Sequence, residues 1–266
     1  MMMEGESAKT PFQLLTSTRY DPFLSSLSWN DDQDGPSPFF LLPLHFDRLV
    51  SASETHNWLY AKSVLRYTSL KSSCLDAISE QRIRGNTSST FRLRITVSPE
   101  GRIAVTAASL PTSFTSDPSY LPLDEPIVEN EDQHGPTLRI YVDEEPITPS
   151  VFTQTKTTFR DIYDLAKARN DARAPEATSW DVVLYNEEGQ ITETTIFNVA
   201  FRRSSQWITP STTSGCLSGV MRKWLLDNGR ICEDTDGILT KDSVQEGEWV
   251  LLFNGVQGCR LGKIYT

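Results

Sequence analysis

The chain has 266 residues, 38% of them hydrophobic, and a formal net charge of −10. That length suits one large domain or two small ones with a real core, and so acidic a surface repels phosphate backbones and argues against nucleic-acid binding. No apolar run approaches the roughly 20 residues of a membrane span, and MMMEGESAKT has no basic stretch leading into an apolar one, so a cytoplasmic enzyme is expected.

In chain order, FQLLTSTRY (12–20) reads as a strand, and PFFLLPLHFDRLVSASETHNWL (38–59) as a short strand running into a helix. Leu44, Arg48, Leu49 and Ala52 fall near one face of that helix. FRLRITVSPEGRIAVTAAS (91–109) predicts a β-hairpin around the turn SPEG. The Pro-, Ser- and acid-rich stretch that follows has little periodicity, and we read 118–137 as an interdomain linker with an insertion. It divides a smaller α/β domain (1–117) from a larger one (138–266).

The larger part opens with the strand LRIYV. TTFRDIYDLAKARNDA (157–172) predicts a helix with Phe159, Ile162, Leu165 and Ala166 on its apolar side. A hairpin around NEEG follows, then the helix SGVMRKWLLDNG closed by Gly229, then a final strand VLLFNGVQGC entering a glycine-containing loop. This order implies mixed α/β, not a doubly wound parallel sheet. The four cysteines show no C-x-x-C spacing and read as reduced thiols. With only three histidines, no metal site is expected.

Four features carry chemistry. Lys156 lies among threonines where strand gives way to helix, although a solvated surface lysine is the commoner case. Glu193 sits in a strand of β-branched and apolar residues, either on an exposed face or held inside against a cation such as a protonated pyridine nitrogen. TSGCLSGVMRKWLL leads small residues into a helix whose first N–H groups, at Val220 and Met221, can bind a phosphate; it also reads as an ordinary helix entry. Arg48 can take a phosphate bidentately, or form a surface salt bridge. Together they supply an amine, a carboxylate, a phosphate cradle and a guanidinium, the set that pyridoxal 5′-phosphate requires.

With those segments in place, the sequence resembles the fold-type IV, class IV aminotransferase family of pyridoxal phosphate enzymes, and within it the aminodeoxychorismate lyase branch. TKTTFRDIYDLAKAR, DVVLYNEEGQITETTIFNVAF, WITPSTTSGCLSGVMRKWLL and FFLLPLHFDRLVSAS carry the resemblance, in matching order and spacing. It implies a D-amino acid aminotransferase-like fold of two domains with the cofactor between them, and a homodimer acting on a small amino substrate. It implies Lys156 as the Schiff-base lysine. It implies cofactor contacts from Arg48, Glu193, Asn198, Leu217, Gly219, Val220, Met221, Asn254, Gly255 and Val256. Arg160, Thr194, Ser17 and Thr18 are the candidate substrate contacts. The implied reaction converts 4-amino-4-deoxychorismate to 4-aminobenzoate and pyruvate. The alternative is a class IV transaminase of D-amino acids, branched-chain amino acids or (R)-amines. A third reading is a non-catalytic binding protein of the same fold.

The sequence also departs from the branch. FQLLTSTR has Thr16 where a glutamate is usual. FNGVQG has Gln257 where an arginine is usual, and Arg92, Arg94, Arg160 and Arg260 are the cations that could compensate.

Overall fold

The computed structural model of the chain describes residues 11–110, 116–122, 127, 135–174 and 179–265. Strand β1 (Leu14–Tyr20) is followed by a small ribbon of β2 (Asp31–Asp32) and β3 (Gly35–Pro36), then by helices α1 (Leu42–Thr55), α2 (Leu59–Val64) and α3 (Tyr67–Ile83). The predicted hairpin forms as β4 (Phe91–Val97) and β5 (Ile103–Ser109). β1, β4 and β5 make one antiparallel sheet in that order. Period-two alternation sorts β4: Phe91, Leu93, Ile95 and Val97 are buried with Leu42, Leu49, Leu70 and Ile78, and Arg92 and Arg94 take the opposite face.

The second half runs β6 (Leu138–Val142), the one-turn helix α4 (Val151–Gln154), α5 (Asp161–Asn170), β7 (Trp180–Tyr185), β8 (Ile191–Thr194), β9 (Asn198–Arg203) and β10 (Gln206–Thr209). It continues with α6 (Val220–Asp227), β11 (Cys232–Glu233), β12 (Trp249–Asn254) and β13 (Gly258–Tyr265). These strands form an eight-stranded mixed sheet in the order β11-β10-β9-β12-β13-β6-β7-β8. Met221, Trp224 and Leu225 of α6 pack on Ala200, Leu251 and Phe253 together with Phe40 and Leu41, so one core joins the chain's two halves. α6 ends as predicted: Gly229 is left-handed (φ 61°), its N–H reaches the Leu226 carbonyl, and the Arg230 N–H reaches Leu225.

Several expectations are corrected. The short strand before α1 is a single bridge, Tyr20 to Phe39. Helix α5 starts at Asp161, not Thr157, because residues 157–158 are tied to β1 instead: Thr157 bridges Leu14, and the Thr158 N–H donates to Gln13. α5 turns Tyr163, Ala166 and Asn170 inward, and leaves Leu165 60% exposed. The last segment is a hairpin of two strands, not one. Helices α2 and α3 had no counterpart in the sequence reading. Positions 123–126 and 128–134 of the expected linker lie outside the described residues. Among the described residues, no helix is long and apolar enough to cross a membrane.

Candidate active site

A cavity of about 320 Å³ is lined from both halves of the chain and holds most of the predicted residues. Lys156 enters it from a fixed backbone. Ser150 and Thr153 form a capping box on α4, and the chain then turns extended at Thr155. The Lys156 carbonyl accepts the Leu15 N–H at 2.8 Å, which docks the lysine segment on β1. Burial first, then the charges of Arg48 and Arg160, pushes the Lys156 ammonium far below the usual lysine range, and Glu193 opposes them.

Glu193 is 3% exposed on β8. Its Oε1 accepts from the Tyr163 hydroxyl at 2.8 Å and from the Leu217 N–H at 3.4 Å. Burial raises its pKa against those two hydrogen bonds and the nearby Lys156 charge. Burial therefore favours the neutral form of both groups, and for the lysine that is the nucleophilic form. The turn after Glu193 is fixed by buried Asp181, which accepts from the Thr194 hydroxyl at 2.7 Å and from the hydroxyl of Thr195.

The far end of the cavity is rich in N–H groups. Asn198 Nδ2 holds the Leu217 carbonyl at 2.8 Å, shaping the loop before α6. The Gly219 carbonyl accepts the Lys223 N–H, so the earlier N–H groups of α6 have no partner inside the helix. Asn254 Oδ1 accepts the Val256 and Gln257 N–H groups at 2.9 and 2.8 Å, folding the loop that carries Gly255. A Cβ at Gly219 would lie 1.9 Å from Asn198 Oδ1. Asn198 cannot swing away without losing Leu217. Gly219→Ala is therefore expected to destabilise the protein by about 1–3 kcal/mol through overpacking, read as a lower urea midpoint. Added Asn198→Ala should recover part of the loss, and an unmoved midpoint would discard this account of the glycine.

At the mouth stand Arg92 and Arg94 of β4, with Arg160 and Gln257. Neither Arg92 nor Arg94 makes an ion pair among the described residues. Arg160 stacks on Tyr163 and donates to the Thr195 carbonyl at 2.8 Å. Arg260 does not line the cavity. It holds Gln257 Oε1 at 2.7 Å and the Pro136 carbonyl at 2.6 Å.

Of the predicted residues, Lys156, Arg48, Glu193, Asn198, Leu217, Gly219, Val220, Asn254, Gly255, Val256, Arg160, Thr194 and Ser17 line the cavity. Thr18 does not. Strand alternation puts it on the opposite face from Ser17, where its hydroxyl donates to the Phe40 carbonyl. The Met221 side chain is also elsewhere, fully buried in the core. Thr194 lines the wall, but its hydroxyl is spent on Asp181. Sequence reasoning missed Tyr163 as the partner of Glu193, and noted Thr16 only as a departure from the branch, without joining it to His45 and Arg48. Two of these carried signals: a tyrosine seven residues beyond the lysine, and a histidine on the inward side of α1.

The sequence profile of amino-transferase class IV matches residues 30–263. Over 201 residues the chain is 32% identical to aminodeoxychorismate lyase of Saccharomyces cerevisiae, covering 66% of this chain and 52% of the yeast protein. A Schizosaccharomyces pombe protein is 59% identical over 99 residues, 37% of this chain and 42% of its own. The chain thus spans about half the length of the curated relatives it matches. In fold it is similar to a fold IV-transaminase of Curtobacterium pusillum (TM-score 0.64, 13% identity, 95% of this chain and 78% of that one). It is also similar to the branched-chain amino acid aminotransferase of Escherichia coli (TM-score 0.62, 15% identity, 95% and 77%). The profile match across most of the chain, over a cavity lined by both a lysine and a buried glutamate, makes this protein a member of the class IV aminotransferase family.

Proposed function

We propose that the cavity binds pyridoxal 5′-phosphate and that the protein is an aminodeoxychorismate lyase, releasing pyruvate and leaving 4-aminobenzoate. The residues present suit that cofactor. Arg48 Nε is buried without a partner, and the start of α6 offers N–H groups with no partner inside the helix. When bound, pyridoxal phosphate supplies an electron sink for charge developing next to the substrate nitrogen.

The chain's own groups divide the remaining work. Lys156 would hold the cofactor through Nζ and would carry protons at that same atom. With Oε1 of Glu193 held by Tyr163 and Leu217, Oε2 is the oxygen available to keep a proton on the pyridine nitrogen. Arg48 and the start of α6 take the phosphate. The N-terminal sheet lines one side through Leu15, Ser17, Arg92 and Arg94.

The observation that carries the substrate is the pair of arginines, Arg92 and Arg94, which line the cavity with Lys156 and make no ion pair among the described residues, in a chain of net charge −10. Aminodeoxychorismate brings two carboxylates to them, and the yeast relative's name points the same way. Gln257 in place of an arginine favours the second reading, a transaminase of D-amino acids, branched-chain amino acids or (R)-amines. A homodimer and a cytosolic location belong to the same proposal, and four free cysteines suit a reducing compartment. The test is to load the protein with pyridoxal phosphate, add aminodeoxychorismate and follow pyruvate. One pyruvate per 4-aminobenzoate is expected. Amino transfer to a keto acid from any of the alternative amines, without pyruvate, would replace the lyase by the transaminase.

A further inference from the structure

Behind Arg48 runs a buried polar chain that the proposed reaction leaves unused. Arg48 Nη2 donates to Thr16 Oγ1 at 2.5 Å, and the same oxygen lies 2.6 Å from His45 Nδ1. Thr16 and His45 are fully buried. A hydroxyl has one proton to give. With Arg48 donating into Oγ1, the Thr16 proton finds its acceptor in His45 Nδ1. The opposite tautomer would aim two donors at one oxygen and strand a buried hydroxyl proton.

His45 is neutral, and accepting at Nδ1 leaves its proton on Nε2, which is buried without a hydrogen-bond partner. Burial, and then the Arg48 charge, holds its pKa well below the ordinary histidine value, consistent with that tautomer. Its Cε1–Nε2 edge packs against the cavity loop: a Cβ on Gly255 would sit 2.5 Å from Cε1 and 2.7 Å from Nε2. The chain thus runs from the loop through His45 and Thr16 to one arm of the guanidinium. Its two hydrogen-bonding links, Thr16 Oγ1 and His45 Nδ1, are uncharged acceptors. Arg48 makes no ion pair among the described residues, and its Nε is unpartnered.

We propose that Thr16 and His45 are a positioning pair for Arg48, anchoring it through a neutral hydroxyl so that its free edge is left for the cofactor phosphate. This rests on the pyridoxal phosphate reading above. A carboxylate at position 16, the residue usual in the branch, would instead pair with Arg48 and compete with the phosphate.

The test compares pyridoxal phosphate with pyridoxal, which lacks the phosphate, titrated into the cofactor-free full chain and read by visible absorbance. Thr16→Val should weaken pyridoxal phosphate about tenfold, as expected for a lost charged hydrogen bond. It should leave pyridoxal nearly unchanged. Thr16→Ser keeps the hydroxyl and should restore the preference. Thr16→Glu should lose it at least as strongly as Thr16→Val, and it carries the comparison if Thr16→Val does not fold. A merely structural role would weaken both ligands alike. Equal losses, or an unchanged preference in Thr16→Val, would overturn the assignment. A wild-type protein that takes up neither ligand would sink the cofactor reading itself, which is a different result from a lost preference.

Discussion

In Lys156→Ala, the visible band that forms when a protein amine condenses with the aldehyde of pyridoxal phosphate is expected to be missing. The cofactor should still bind, more weakly, through Arg48 and the start of α6. Turnover should fall on the order of a thousandfold, because general acid–base transfer alone is worth roughly 10²–10⁴. The wild-type amine carries its own signature. Burial and three guanidinium groups push Lys156 down to about 7. Only the neutral amine attacks, and its fraction grows as pH rises past the folded-state pKa. Condensation should therefore speed up through about pH 7 and level off above it. A solvated lysine would keep accelerating toward its ordinary pKa of about 10.4. A stopped-flow series across that range decides between them. A band that survives in Lys156→Ala would place the covalent bond on another amine.

Glu193→Gln should leave the cofactor bound and slow turnover about a hundredfold, the scale of removing one aligned electrostatic partner. The side chain keeps its volume, and its carbonyl oxygen can still accept from Tyr163 and Leu217. The change is one of charge. An amide cannot keep a proton on the pyridine nitrogen, so the ring withdraws electrons less well. The loss should appear in kcat with KM little changed, since Glu193 belongs to the cofactor's side of the cavity and the mouth arginines are untouched. A kcat within about threefold of wild type would remove Glu193 from the chemistry.

The readable parts of the chain are those with local signals. The β4–β5 hairpin carries both a period-two pattern and a turn, with Gly101 left-handed at its corner. The NEEG turn and the Gly229 stop are of the same kind. Lys156 and Glu193 stand out because each is ionisable inside an apolar or threonine-rich frame, and the structure brings them into one cavity. Other elements hid for physical reasons. The buried stripe of α3 is Leu70, Cys74, Ala77 and Ile78, of which two, Cys74 and Ala77, are small, so the apolar signal is faint. β13 is broken up by glycines and by Arg260 and Lys263. The junction of Thr16, His45 and Arg48 joins residues 29 and 32 positions apart, and nothing in either segment alone announces it. The same holds for Arg92 and Arg94, whose alternation is visible but whose cavity is supplied by the other half of the chain.

The docking of the lysine segment on β1 also bears on the order of folding. Gln13 and Thr158, which bracket that junction, are 145 positions apart. Closing so long a loop is slow and yields no contact until late. A nascent or half-folded chain therefore holds Lys156 as an ordinary protonated surface amine. The depressed pKa, and with it the reactive nucleophile, exists only once the first strand has returned to meet the middle of the chain. Reactivity toward aldehydes is thus a property that the completed fold switches on, and an unfinished chain is spared indiscriminate condensation.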